Sequence, residues 1–220
     1  MIKTFLTGVA VAAVVMVADW ATAAPLSLSY QAYSRADQMA PVEPQTEQGY
    51  EAPAQFRRQV VPYTGSEAPG TIIIDTPNTF LYLVQPGGRA IRYGIGVGRD
   101  GFRWSGVQHI TKKAEWPDWT PPPEMIARQP YLPRFMAGGA TNPLGARAMY
   151  LGSTIYRIHG TNAPSTIGQR VSSGCIRLTN EDVADLYSRV NVGTKVIVLN
   201  ADYRAEAPMV SAPASLRPLR

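Results

Sequence analysis

Gly70-Thr71-Ile72-Ile73-Ile74-Asp75-Thr76-Pro77-Asn78-Thr79-Phe80-Leu81-Tyr82-Leu83-Val84-Gln85-Pro86-Gly87-Gly88-Arg89-Ala90-Ile91-Arg92-Tyr93-Gly94-Ile95-Gly96-Val97 is the stretch that sets the fold class. Residues 71–75 form a short apolar strand, and Thr76-Pro77-Asn78 is a turn. Phe80, Tyr82 and Val84 alternate with Leu81 and Leu83, so both faces of the next strand are apolar and both should be covered. Pro86-Gly87-Gly88 is a hairpin turn. Ile91, Tyr93, Ile95 and Val97 then share one face of a third strand, while Arg92, Gly94 and Gly96 occupy the other.

Working outward, the same reading places strands over residues 107–113, 149–151, 154–159 and 196–199. Three consecutive prolines, Pro121 to Pro123, keep residues 116–123 out of any regular element. One helical turn is expected over residues 124–127, and a second long loop over 138–145. Loops of this length in a small domain are often functional, and these two are placed to wall a groove or simply to connect strands. Thr179-Asn180-Glu181-Asp182 has the form of a helix start. Val183, Leu186, Tyr187 and Val190 follow at helical spacing, one face for packing on a sheet. The domain is therefore mainly β with a few short helices, over residues 70–200.

The flanks differ from this core. Lys3, the uncharged apolar run from Phe5 to Ala18, and Ala21-Thr22-Ala23 have the pattern of a cleaved secretory signal over residues 1–23. The apolar run is short for a membrane span, and no later segment is apolar enough to be one. Residues 24–69 are rich in Ala, Pro, Gln and Glu and read as a disordered linker; residues 201–220 read as a similar tail. The formal net charge of +5 is compatible with plain solubility or with attraction to an anionic envelope polymer. Nucleic acid is not an expected partner, since no basic run is interleaved with aromatics.

The chain has one cysteine and two histidines. Exported domains use cysteines in pairs as staples, so the lone Cys175 must be buried, paired between chains or kept for its chemistry. It lies in Ser172-Ser173-Gly174-Cys175-Ile176-Arg177-Leu178, and His159 lies in Ile158-His159-Gly160-Thr161-Asn162. A thiol is mostly protonated at neutral pH and needs a base to become a nucleophile. An imidazole can take that proton and return it to a leaving amine. Its second nitrogen must be held, and the Gly160 carbonyl is a candidate. The amides of Gly174 and Cys175 are candidates for an oxyanion hole. Arg177 is close enough in sequence to bind a substrate carboxylate through its fork, although an arginine alone is more often in a surface ion pair. His109 has no special neighbours and reads as structural. Ser173 lacks the elbow of a serine nucleophile. No metal site and no cofactor are expected.

At these residues the chain resembles the L,D-transpeptidase family of the YkuD type. The resemblance is carried by His159-Gly160, then Ser172-Ser173-Gly174-Cys175-Ile176-Arg177, then Asn180, and extends to residues 70–98 and to Asn142-Pro143-Leu144-Gly145. Ser173 stands where many members have histidine. The resemblance implies a β-sandwich-like domain acting on the stem peptides of peptidoglycan in the periplasm or cell envelope. It implies Cys175 as nucleophile, His159 as base, and Ser173, Arg177 and Asn180 lining the substrate. A tetrapeptide stem would lose D-alanine and leave a thioester, open to inactivation by carbapenems. The acceptor would be an amine of another stem, a lysine of an envelope protein, or water, the last making an L,D-carboxypeptidase. A non-catalytic wall-binding protein is the remaining alternative.

Overall fold

The computed structural model describes residues 50–199. The expected signal segment, the tail over 201–220 and residues 24–49 of the expected linker lie outside the described residues. Eleven strands form in chain order: β1 Gln59–Pro62, β2 Ile72–Asp75, β3 Phe80–Gln85, β4 Arg89–Gly94, β5 Val97–Gly98, β6 Gly106–Glu115, β7 Arg147–Leu151, β8 Arg157–His159, β9 Arg170–Ser172, β10 Ile176–Arg177 and β11 Lys195–Leu199. Two α-helices join them, α1 over Pro123–Arg128 and α2 over Asn180–Arg189. Nine strands make one curled sheet in the order β1-β4-β3-β2-β11-β6-β7-β8-β10, and β5 and β9 pair separately.

The expected strands and the hairpin at Gly87-Gly88 are present, except that the third strand ends at Gly94 and Val97 falls in the separate β5, which pairs with β9. Gly87 and Gly88 both have positive φ, +75° and +64°, which other residues rarely adopt. The strand expected from residue 154 begins at Arg157, because Thr154 is spent on a turn, its amide and hydroxyl both donating to the Leu151 carbonyl. The linker expected over residues 24–69 needs correcting over its last part. Gln59–Pro62 form β1, in antiparallel register with β4, so the folded region starts before Gly70.

The curl comes from β6. Its first half pairs with β11, its second half with β7, and the register shifts between Ile110 and Lys112. Such an irregularity bends a strand, so the β7-β8-β10 half folds over the β2-β3-β4 half. The main core lies inside the curl. Ile72 and Ile74, Leu81 and Leu83, Ile91 and Tyr93, Met149 and Leu151, and Ile158 and Ile176 meet there. Tyr82, Val84, Ile73 and Ala90 form a smaller cluster on the outer face with Val61 and Tyr63. The alternation in β3 is thus buried on both sides, as its sequence requires.

Helix α2 starts as expected. The Thr179 hydroxyl accepts the Asp182 amide at 3.1 Å, satisfying one of the unpaired N–H groups of the first turn. Val183, Leu186 and Val190 enter the main core. Lys113 of β6 donates to the carbonyls of Tyr187 and Val190, both at 2.7 Å, a favourable place for a cation at a helix C-terminus. No helix among the described residues is long and apolar enough to cross a membrane.

Candidate active site

β8 and β10 run parallel, with Ile158 beside Ile176 and His159 beside Arg177. Ile158 and Ile176 are fully buried in the main core. Alternation then turns Arg157, His159, Cys175 and Arg177 to the opposite face. Two strands three and two residues long, with Cys175 just before the second, therefore gather a thiol, an imidazole and two guanidinium groups. On its free side β10 is bridged to Gly96, the backbone amides of Gly96 and Arg177 each donating to the other's carbonyl. This contact closes the curl beside the site.

His159 is 5% exposed. Its Nδ1 lies 2.6 Å from the Gly160 carbonyl. A carbonyl only accepts, so Nδ1 carries the proton and Nε2 keeps its lone pair. Burial pushes the His159 pKa down to about 3, reinforced by the charges of Arg177 and Arg157 and opposed by the carbonyls of Gly160 and Leu144. The imidazole is neutral at pH 7, as a base must be. Cys175 is half-buried, and its thiol points to the Ile155 carbonyl at 4.0 Å. Burial pushes its pKa up, while Arg157 and Arg177 pull it down. Both shifts run toward the uncharged forms.

The loop before Cys175 is built by Ser172, Gly174 and Trp104. Ser172 Oγ donates to the Cys175 carbonyl at 2.6 Å and accepts the Gly174 amide at 3.1 Å. The Gly174 amide is therefore already bonded, which argues against its expected oxyanion role. Gly174 has φ +103°, and a Cβ there would lie 2.5 Å from the Tyr156 ring, so glycine is required for shape. Trp104 Nε1 donates to the Gly174 carbonyl at 2.8 Å, and its ring stacks on Tyr156 at 4.5 Å.

Asn180, expected to line the substrate, bonds to backbone on two sides. Its carboxamide oxygen accepts the amides of Ala146 at 2.8 Å and Thr161 at 3.2 Å. It ties the loop before β7 to the segment after His159. This packing is close: a Cβ on Gly145 or Gly160 would come 2.1 or 2.2 Å from that oxygen. The loop over residues 138–145 reaches the site through the Leu144 carbonyl. It is organised by the fully buried Asn142, whose Nδ2 donates to the carbonyls of Pro117, Met136 and Ala137 and whose Oδ1 accepts the Leu144 amide. Ser173 is half-buried beside Cys175. His109 is exposed on β6 opposite Lys195, away from this face.

Sequence reasoning missed Arg157, Trp104 and the separate role of Ser172. The signal for Arg157 was present: it stands two residues before His159 in the same strand, hence on the same face.

The model of the YkuD L,D-transpeptidase catalytic domain matches residues 69–198. The chain belongs to this family. The probable L,D-transpeptidase ErfK/SrfK of Escherichia coli is 39% identical over 138 residues, 59% of this chain and 44% of that protein. The probable L,D-transpeptidase YcfS of the same species is 37% identical over 146 residues, 62% of this chain and 46% of that protein. The chain thus matches less than half the length of these curated relatives. The solved Ldtfm–avibactam carbamoyl enzyme is 19% identical, covers 61% of this chain and 50% of its own, and superposes with a TM-score of 0.50, a likeness of fold.

Proposed function

We propose that this chain is an exported peptidoglycan L,D-transpeptidase with Cys175 as nucleophile and His159 as general base. The observation that carries this is a neutral imidazole, held by Nδ1 on the Gly160 carbonyl, on the same sheet face as the chain's one thiol. In the first half-reaction His159 Nε2 takes the thiol proton as sulfur attacks the carbonyl before the terminal D-alanine of a tetrapeptide stem. The S–C bond forms and the amide C–N bond breaks. The proton passes from Nε2 to the leaving amine, and D-alanine departs. In the second half-reaction an amine attacks the thioester, the C–S bond breaks and the thiol regains a proton. A stem amine gives a cross-link, a protein lysine gives an anchored protein, and water gives a trimmed stem.

Burial raises the thiol and lowers the imidazole, so both groups are shifted toward their uncharged forms before attack. The test is intact-mass and product analysis with tetrapeptide muropeptides. Wild-type chain releases D-alanine and gains the acyl mass, and Cys175→Ala does neither. Release at the wild-type rate by Cys175→Ala sinks the reading. Dimers, protein adducts or trimmed monomers among the products identify the acceptor.

A further inference from the structure

On the reverse of the nucleophile loop lies a cavity of about 360 Å³, within the size range of small-molecule sites. Gly174 and Ile176 form part of its wall, but neither Cys175 nor His159 does. Alternation explains this. Ile176 faces the main core, and its neighbours Cys175 and Arg177 face the other way. The cavity is therefore entered from the side of the segment that the thiol does not use.

Its wall has two parts. Val97 and Ile176, 2% and 1% exposed, belong to the main core, and the Trp104 ring packs against that core. These residues make an apolar floor. Arg103 and Arg170 also line the cavity and are exposed, so they stand at its mouth. The Phe102 ring beside them carries two further guanidinium groups, Arg99 at 4.6 Å and Arg128 at 4.7 Å from its centroid. One carboxylate opposes these charges, that of Asp100, which pairs with Arg103. Arg170 is held in place by its Nη2, which donates to the Pro77 carbonyl at 2.6 Å. Among the described residues Arg170 meets no carboxylate.

An apolar floor under a surplus of fixed cations is the complement of an anion with an apolar body. A neutral apolar molecule leaves the cations unused, and an organic cation is repelled. A small hydrophilic anion leaves the floor in water. Guanidinium forks favour a carboxylate at the charged end.

We propose that this cavity is a second ligand site, which takes a small carboxylate on a hydrocarbon body, and that its occupant acts on the nucleophile loop from behind. The link is direct. Trp104, in the wall, donates from Nε1 to the Gly174 carbonyl at 2.8 Å. Gly98, also in the wall, is packed so closely that a Cβ on it would lie 3.1 Å from the Gly174 Cα. An occupant that shifts the Trp104 ring moves the carbonyl one residue before Cys175, and the thiol with it. The site goes beyond the acyl-transfer reading and does not rest on it.

The test uses the full chain with octanoate as probe, and with acetate and octanol as comparisons, binding being read by calorimetry. Octanoate should bind at a single site, about tenfold or more tighter than octanol, the scale of one charge-assisted hydrogen bond. Acetate, which lacks the chain, should bind more weakly than octanoate. The double variant Arg103→Gln, Arg170→Gln, at two exposed positions, should reduce octanoate to the level of octanol. Octanoate no tighter than octanol, or undiminished in the double variant, overturns the proposal. Chain whose Cys175 has been blocked with iodoacetamide should still bind octanoate. Loss of binding there would put the ligand in the catalytic groove and overturn a second site. Saturating octanoate should also change the rate of iodoacetamide addition to Cys175, the chain's only thiol, by about fivefold or more, the low end of coupling between sites. Equal rates with and without octanoate overturn the action on the nucleophile loop. None of these readouts needs D-alanine release, so failure of this proposal and failure of the transpeptidase reading are separable.

Discussion

Strand β3 and the β8–β10 pair follow the same alternation to opposite ends. In β3, Leu81 and Leu83 enter the main core while Tyr82 and Val84 enter the outer cluster, so both faces are used for packing. In β8 and β10, only Ile158 and Ile176 pack inward, and Arg157, His159 and Arg177 are turned away from that core. The first region shows what stabilises the sheet. The second shows what the sheet is stabilised to hold, namely a buried base and two cations with bare donors. Buried polar groups of this kind cost stability, so the packing half must offset what the site half loses.

The largest expected break in this comparison is on the packing side. Leu81→Ala, at a fully buried position, should lose about 2–5 kcal/mol in denaturant unfolding. The Cys175 alkylation rate of the folded fraction should stay unchanged. A slowed alkylation would mean that the two halves are not separable. Asn180→Ala should cost less, about 1–3 kcal/mol, by leaving two backbone amides without their acceptor. It should also lower the acyl-transfer rate by loosening the loop that carries Leu144 against His159. Rate loss with wild-type stability would return Asn180 to a substrate-contacting role.

The pH dependence comes next. An unfolded histidine binds a proton below about 6.5, whereas folded His159 does so only near 3. Its contribution to stability is therefore present above pH 6.5 and is lost as the pH falls toward 3, at about 1.4 kcal/mol per pH unit for one proton. Asp182 has the opposite sign. Burial is the main cause raising its pKa to about 6, so its contribution is full below about 3.8 and is lost as the pH rises through 6. Between pH 6 and 4 the two oppose each other. Melts of Asp182→Asn should show a steeper loss on acidification than wild type, and His159→Gln a shallower one. Parallel curves for all three would remove His159 from the balance.

The smallest effect should come from Arg58→Ala. Arg58 joins the N-terminal segment to α2 through Glu181 at 3.0 Å, Asp185 at 3.3 Å and Asp182 at 3.6 Å. The Glu181 pair is exposed, at 80%, and contributes about 1 kcal/mol or less. Asp182 and Asp185, at 11% and 19%, keep other partners in Thr179 and in Tyr93 and Arg189. A small Tm decrease with unchanged alkylation is expected. A large one would make this network part of the packing half.

Much of this was legible in residue order. The doubly covered β3, the hairpin at Gly87-Gly88, the Thr179 cap and the Cys175 and His159 segments all rest on patterns within a few residues. What was not legible depends on register between distant strands. Arg157 meets the site only because β8 lies beside β10. Asn180 ties two loops together because both converge on its one carboxamide oxygen. β1 shows a single buried residue, Val61, in four, so nothing in its own pattern signals a strand until β4, some thirty residues later, is set against it.

That short strand also bears on which sheet edge is open to pairing. β1 is one end of the nine-stranded sheet, and it stands between solvent and the six-residue β4. It ends in Pro62, which has no N–H to offer a neighbour, and edge strands that are short and carry proline are poor templates for intermolecular pairing. At the other end β10 is two residues long and already bridged to Gly96. Among the described residues the sheet thus presents no long open edge. A chain cut back to Gly70 would keep the site residues yet uncover β4, and the expected outcome is self-association through that strand.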